Sequence, residues 1–151
     1  MDLSLELRRI VEALDHAGVG YALAGGLAVS IYTAPRATED VDLLLARDDV
    51  PRAVAALLPL GFKVAGVPMR VAHGRLEIQR LIRIEGSDLL PVDLLAPIDP
   101  ELGELTGDRV SMPWEGRHIV VVGRESLRTL KRLRGSAQDR ADLEALGPDP
   151  A

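Results

Sequence analysis

Apolar residues recur along this chain with two different periods. Leu3, Leu7, Ile10, Val11 and Leu14 repeat at three- and four-residue intervals, which predicts an amphipathic helix over residues 2–17, ended by Gly18. Tyr21-Ala22-Leu23-Ala24 is a short apolar run closed by Gly25-Gly26, and Leu27 to Thr33 reads as a short apolar helix broken by Pro35. Val41 to Leu45 predicts a buried strand. Asp48 or Asp49 is placed to cap a helix that carries Pro51 in its first turn and runs to about Leu58. From Gly61 the period changes to two. Leu76, Ile78, Ile82 and Ile84 alternate with Glu77, Gln79, Leu81 and Arg83, a strand with one apolar face that Arg80 interrupts. Pro91 to Leu95 and Ile119 to Val122 are further strands, and His73-Gly74 and Gly116 (between Trp114 and His118) read as turns. Helical spacing returns at Leu127, Leu130 and Leu133. After a break at Gly135-Ser136 it continues through Ala141, Leu143 and Leu146, and residues 147–151 are expected to fray. The pattern is that of an α/β sheet protein with helices at both ends, in a single domain over residues 1–146.

Composition narrows what such a domain does. The chain has 151 residues, 47% of them hydrophobic and 27% charged, which suits a folded core and not a disordered or fibrous chain. With no cysteine, disulfides, thiolate zinc sites and cysteine nucleophiles are excluded, and the three histidines (His16, His73, His118) have no metal-ligand spacing. Only 3% of residues are aromatic, which argues against a base-stacking platform. A net charge of −5 and a pI near 5.2 argue against broad electrostatic binding of nucleic acid. Ala17 to Pro35 carries no charged residue, yet its glycines, tyrosines, serine, threonine and proline fit a buried strand–turn–helix better than a membrane span. The start of the chain lacks the basic, then continuously apolar, pattern of a signal peptide, and the expectation is a cytoplasmic protein without a membrane segment.

Asp40-Val41-Asp42 is the most informative chemistry in the sequence. Residues i and i+2 of a strand share a face, so both carboxylates point one way while Val41 points the other. Side by side they repel, and each raises the pKa of the other unless a cation neutralises them. Hard carboxylate oxygens suit Mg²⁺ or Mn²⁺. A lone pair of this kind is more often a strand edge facing water, but Leu43-Leu44-Leu45 follows directly and marks a central strand. Gly25-Gly26, between a strand and a helix, allows close backbone approach of a ligand, and the free N–H groups of a helix start favour phosphate. A tight turn is the plainer alternative, and neither a P-loop nor a Rossmann fingerprint is present.

Ala24-Gly25-Gly26-Leu27-Ala28, thirteen intervening residues (27 to 39) and then Asp40-Val41-Asp42 in an apolar setting together resemble the signature of the nucleotidyltransferase superfamily, whose fold is shared with DNA polymerase beta and antibiotic nucleotidyltransferases. The resemblance implies a mixed sheet flanked by helices, with further helices at the C-terminus. It also implies a third carboxylate on a later strand, and Asp93 in Pro91-Val92-Asp93-Leu94-Leu95 is in such a setting. Pro35-Arg36-Ala37-Thr38-Glu39-Asp40, with Leu130-Lys131, Gly135, Gln138-Asp139 and Asp142 further on, looks like small bacterial nucleotidyltransferases related to abortive-infection type IV toxin–antitoxin systems. Ser136 departs from it, standing where those relatives usually carry arginine.

On this resemblance Asp40, Asp42 and Asp93 are the catalytic and metal-binding residues for Mg²⁺ or Mn²⁺. Gly25, Gly26, Arg36, Thr38 and Lys131 would bind the nucleotide, and an NTP, ATP among the options, would be the substrate. Each candidate also has a plainer reading. Arg36 could be a surface arginine, Thr38 could bond the backbone of its turn, and Lys131 could lie on a solvated helix face. Asp139 and Asp142 could be a cap and an exposed acid. Arg70, Arg75, Arg80 and Arg83 form either an anionic-substrate rim or, better, a plain polar face. The acceptor hydroxyl is open between protein, RNA and small molecule. The acidic pI weighs against tRNA, and a partner protein, such as a cognate toxin or antitoxin, is at least as plausible. The competing reading is a non-catalytic module that keeps the fold to bind nucleotide or a partner.

Overall fold

The computed structural model describes residues 1–34 and 38–147. Helix α1 (Leu3–His16) starts where the Asp2 carboxylate accepts the Leu5 N–H at 3.3 Å, and Gly18, at φ +70°, turns the chain out of it. Leu7, Ile10, Val11 and Leu14 form its buried stripe, as their spacing predicts. Strand β1 (Ala22–Ala24) leads straight into helix α2 (Gly25–Tyr32). The two glycines are therefore the first residues of the helix and not a turn ahead of it. The expected helix over 27–33 begins two residues early. Strand β2 (Val41–Leu44) is buried at every position, which covers both its faces. Helix α3 (Val50–Leu57) follows with Pro51 in its first turn; Asp49 is the N-cap, although its side chain makes no capping bond.

The middle of the chain holds more strands than the hydrophobic pattern gives. Short strands β3 (Lys63–Val64) and β4 (Met69–Val71) lie along the long strand β5 (Leu76–Glu85), which forms a hairpin with β6 (Asp88–Pro97). The expected apolar face of β5 holds only through Ile78. Beyond Arg80, Leu81 is buried on the other face, Ile82 is half-buried and Ile84 is 66% exposed. After a 3₁₀ segment (Pro100–Gly107), β7 (Arg109–Trp114) and β8 (Arg117–Val122) form the hairpin expected around Gly116. Helices α4 (Arg124–Arg134) and α5 (Ala137–Leu146) close the described fold. Apart from Gly147, the expected frayed tail lies outside the described residues.

The strands form one mixed sheet in the order β3-β5-β6-β2-β1-β8-β7, with β4 also on β5. β2 runs parallel to β6 and antiparallel to β1, while β1 runs parallel to β8. Leu23, Leu43, Leu44, Leu94, Leu95 and Val121 fill the middle of the core. Helix α1 packs on α3, and α2 packs on α4 and α5. The uncharged stretch from Ala17 to Pro35 accordingly contains β1 and α2, and no described helix is long and apolar enough to cross a membrane. Ile10, fully buried in α1 and not among the residues that line the cleft at Asp40 and Asp42, measures the core. Ile10→Ala is expected to remove about 2–5 kcal/mol, read from the shift of the urea denaturation midpoint.

Candidate active site

Register across the central strands builds the site. Ala24 on β1 lies opposite Asp42 on β2, Asp42 lies opposite Asp93 on β6, and Asp93 lies opposite Arg80 on β5. Partners in register share a face, so these four residues form one row across four adjacent strands. Asp40, just ahead of β2, brings its carboxylate to the same place: one oxygen from each of Asp40, Asp42 and Asp93 lies within 4.8 Å of the others. Among the described residues this is the only group of three or more such side chains placed to hold a metal ion.

The three carboxylates are held unequally. Asp93 is 2% exposed, and Arg80 grips it through both oxygens, with Nε to Oδ1 at 2.8 Å and Nη2 to Oδ2 at 2.9 Å. Thr38 donates its hydroxyl to Asp40 Oδ1 at 3.4 Å, so it serves a carboxylate of the site. Asp42 is 9% exposed, and its Oδ1 is buried with no hydrogen-bond partner among the described residues. Burial, and then the charges of Asp40 and Asp93, push the Asp42 carboxyl up to about 7, while Arg134 and Lys131 pull the other way. A buried, unpartnered carboxylate oxygen among hard oxygen donors fits a divalent cation, which would bind there in exchange for a proton.

Gly25 stands against this row. Its φ is +63°, and a Cβ would overlap the Asp42 carboxylate, so both backbone conformation and space require glycine. Helix α2 begins here with no side-chain cap and no acid in its first turn, which leaves N–H groups at the start of the helix available to an anion. Gly26, Thr38, Asp40, Asp42, Arg80, Lys131 and Arg134 all line one cleft of about 730 Å³. A second lobe of about 450 Å³ shares Thr38, Glu39 and Pro91 with it and is also lined by Leu3, Leu89 and Leu90.

Lys131 lines the cleft but is only 8% exposed, and its Nζ bonds Asp139 Oδ1 at 3.2 Å and Asp142 Oδ2 at 2.8 Å. It is not on a solvated face, and Asp142 is not an exposed acid. Ser136 and Asp139 form a capping box for α5, so the position that departs from the arginine of the family pattern has a local structural task. Burial would raise the Asp139 carboxyl, but bonds from the Ser136 side chain and backbone, with Lys131, bring it below the usual range. Arg36 lies outside the described residues.

Two cleft residues escaped the sequence reading. The sequence sets Arg80 in one basic cluster with Arg70, Arg75 and Arg83, but that cluster does not assemble: Arg75 pairs with Asp99, and Arg83 with Glu6 and Glu85. The available signal was the position of Arg80 in phase with the apolar residues of its strand. Arg134 is exposed in the cleft and makes no ion pair among the described residues. Its signal was a three-residue spacing from Lys131, which puts both on one side of α4.

No family model matches the sequence, and no curated protein matches it. Solved structures do. The lincosamide antibiotic adenylyltransferase LnuA, with lincomycin bound, superposes with a TM-score of 0.63 at 19% identity, covering 93% of this chain and 94% of that one. ANT(2'')-Ia in complex with adenylyl-2''-tobramycin gives 0.65 at 14% identity, covering 94% and 86%. The chain has the nucleotidyltransferase fold.

The unfolded carboxyl of an aspartate titrates near 4. Because the folded Asp42 holds its proton up to about 7, its contribution to the stability of the metal-free protein is greatest below pH 4, declines as pH rises toward 7 and then levels off. Asp42→Asn should therefore raise metal-free stability at pH 8 by on the order of 2 kcal/mol. It should also abolish the Mg²⁺-dependent rise in melting temperature expected of the wild type. A neutral or destabilising Asp42→Asn, with no wild-type response to Mg²⁺, would remove the metal site. Gly25→Ala should lower stability by about 1–2 kcal/mol through its backbone alone and also lose the Mg²⁺ response; retention of that response would show that the Asp42 carboxylate keeps its place.

Proposed function

We propose that the protein is a metal-dependent nucleotidyltransferase that moves a nucleoside monophosphate from an NTP to an acceptor hydroxyl. The observation that carries this reading is the convergence of Asp40, Asp42 and Asp93 beside the uncapped start of α2, in a cleft that also holds Arg80, Lys131 and Arg134. In the reaction the acceptor hydroxyl gives up its proton to a carboxylate of the row or to water, its oxygen bonds the α-phosphorus, the α–β phosphoanhydride breaks and pyrophosphate leaves. Asp40 and Asp42, with Asp93, would hold Mg²⁺ or Mn²⁺, which supplies charge neutralisation at the triphosphate and activation of the attacking oxygen. Gly26 and the first N–H groups of α2 would receive phosphate oxygens. Arg134 would offset charge building on the pyrophosphate, with Arg36 as a further candidate for that task. Lys131 would act mainly by holding α4 to α5 through Asp139 and Asp142, so that the wall carrying Arg134 keeps its position.

The second lobe supports a small-molecule acceptor, in keeping with the antibiotics named for LnuA and ANT(2'')-Ia. A protein acceptor, such as the partner in a toxin–antitoxin pair, is favoured by one separate feature. The cross-strand pair Ile84 and Leu89 is 66% and 54% exposed, and Leu89 also lines the acceptor lobe. The non-catalytic reading draws on Lys131 and Asp93, both already engaged by side chains of this same chain.

The test is incubation with each of four α-labelled NTPs, Mg²⁺ or Mn²⁺ and cell lysate, following label into small molecules, protein and RNA. Release of pyrophosphate with label on an acceptor is expected. Asp40→Asn and Asp42→Asn should each slow it about a hundredfold or more. Nucleotide binding without pyrophosphate release would establish the non-catalytic module.

A further inference from the structure

Arg80 treats Asp93 differently from the rest of the acidic row. The β5–β6 ladder sets the two residues directly opposite each other, so backbone register, and not a chance rotamer, brings them together. The guanidinium occupies both oxygens of Asp93, at 2.8 and 2.9 Å, in a two-bond fork. Nothing comparable holds Asp42, whose Oδ1 is buried without a partner, and Asp40 receives only a long bond from the Thr38 hydroxyl among the described residues. Charge on the row is thus neutralised at one end and open at the other. A divalent ion entering from the cleft is drawn to the Asp40–Asp42 end. At the Asp93 end it meets a fixed positive charge and oxygens already bonded.

We propose that Arg80 is a resident counter-ion for Asp93, so that the nucleotide-free protein takes one divalent ion, on Asp40 and Asp42, and accepts a second only when the guanidinium releases an Asp93 oxygen. This rests on the metal-dependent reading of the site. Arg80 is built for such an exchange. Its side chain is 42% exposed and lines the cleft, and Nη1 has no partner among the described residues. The free edge of a guanidinium matches phosphate oxygens in geometry and charge. An incoming triphosphate therefore competes with Asp93 for Arg80, and nucleotide binding is coupled to completion of the metal site.

The experiment is a titration of the whole chain with Mn²⁺ alone, with free Mn²⁺ counted by electron paramagnetic resonance, on wild type, Arg80→Ala and Arg80→Lys. Wild type is expected to bind one ion tightly. Arg80→Ala should bind a second at least about tenfold more tightly than wild type does, as when a bidentate competitor is removed. Arg80→Lys, whose ammonium is a compact point charge without the planar fork, should fall between them. Adding an α,β-methylene NTP analogue to the wild type should bring in the second ion. Circular dichroism checks that each variant is folded, and Arg80→Lys carries the comparison if Arg80→Ala is not.

Two tight ions on nucleotide-free wild type would overturn the proposal. So would an Arg80→Ala protein whose second ion is unchanged, or whose first ion is weakened, because Arg80 would then only brace Asp93. A wild type that binds no Mn²⁺, with or without the analogue, would bring down the metal-dependent reading itself. Intact wild-type binding with no effect of Arg80 would bring down this inference alone.

Discussion

Parallel pairing of β2 with β6 sets Asp42 directly beside Asp93, on two strands whose neighbours are almost all apolar, and Asp40 adds a third carboxylate at the strand entrance. Like charges in a poorly solvated place oppose folding, and each must be answered by a proton, a cation or a hydrogen bond. Arg80 answers for Asp93 and the Thr38 hydroxyl reaches Asp40, while a proton on Asp42 survives to about pH 7. The rest of the site is arranged around what is left unanswered. The two most central strands of the sheet thus carry both the best-packed leucines and the group least suited to a core. Leu43 and Leu94 on the neighbouring positions of the same strands supply the burial that lets the fold tolerate it.

The junction between β1 and α2 shares that constraint. Here the strand passes into the helix at a residue with positive φ, directly against a carboxylate that leaves no room for a side chain, and Gly25 meets both conditions. The same junction brings the start of α2 to the cleft, so the positive end of its helix dipole lies beside Asp42. The structural likeness to LnuA and ANT(2'')-Ia extends over nearly the whole described chain and shows a common architecture at low identity. The chemistry argued for the cleft rests on the residues in it.

The C-terminal helices show how the same residue types can take different work. Lys131 lies on the cleft wall, yet its charge is balanced by Asp139 and Asp142, which makes it a fastening between α4 and α5. Ser136 closes the first turn of α5. The exposed cation on that wall is Arg134, near enough to Asp42 to lower its pKa. The work of a charged residue is set by its nearest counter-charge, and for Lys131 that charge comes from the next helix.

Local patterns alone were enough for α1, the strand at 41–45, the β7–β8 hairpin turn and the C-terminal helices, because period, caps and glycines act within a few residues. They also singled out Asp40 and Asp42, whose i, i+2 spacing on an apolar strand is itself a statement about one face. Asp93 is nominated by the family resemblance, which implies a third carboxylate on a later strand, together with its apolar setting, but its position beside Asp42 depends on a parallel pairing across about fifty residues, which no local pattern encodes. The role of Arg80 was hidden for the same reason: in sequence it is a flaw in an alternating strand, and only the ladder with β6 makes it the partner of Asp93. The edge strands β3 and β4 were missed because their residues are mostly exposed and lack an apolar face to announce them. Composition and periodicity determined which segments fold and which carboxylates face together. Strand register, a long-range property of backbone hydrogen bonding, decided which charges neutralise one another and which one is left for a ligand.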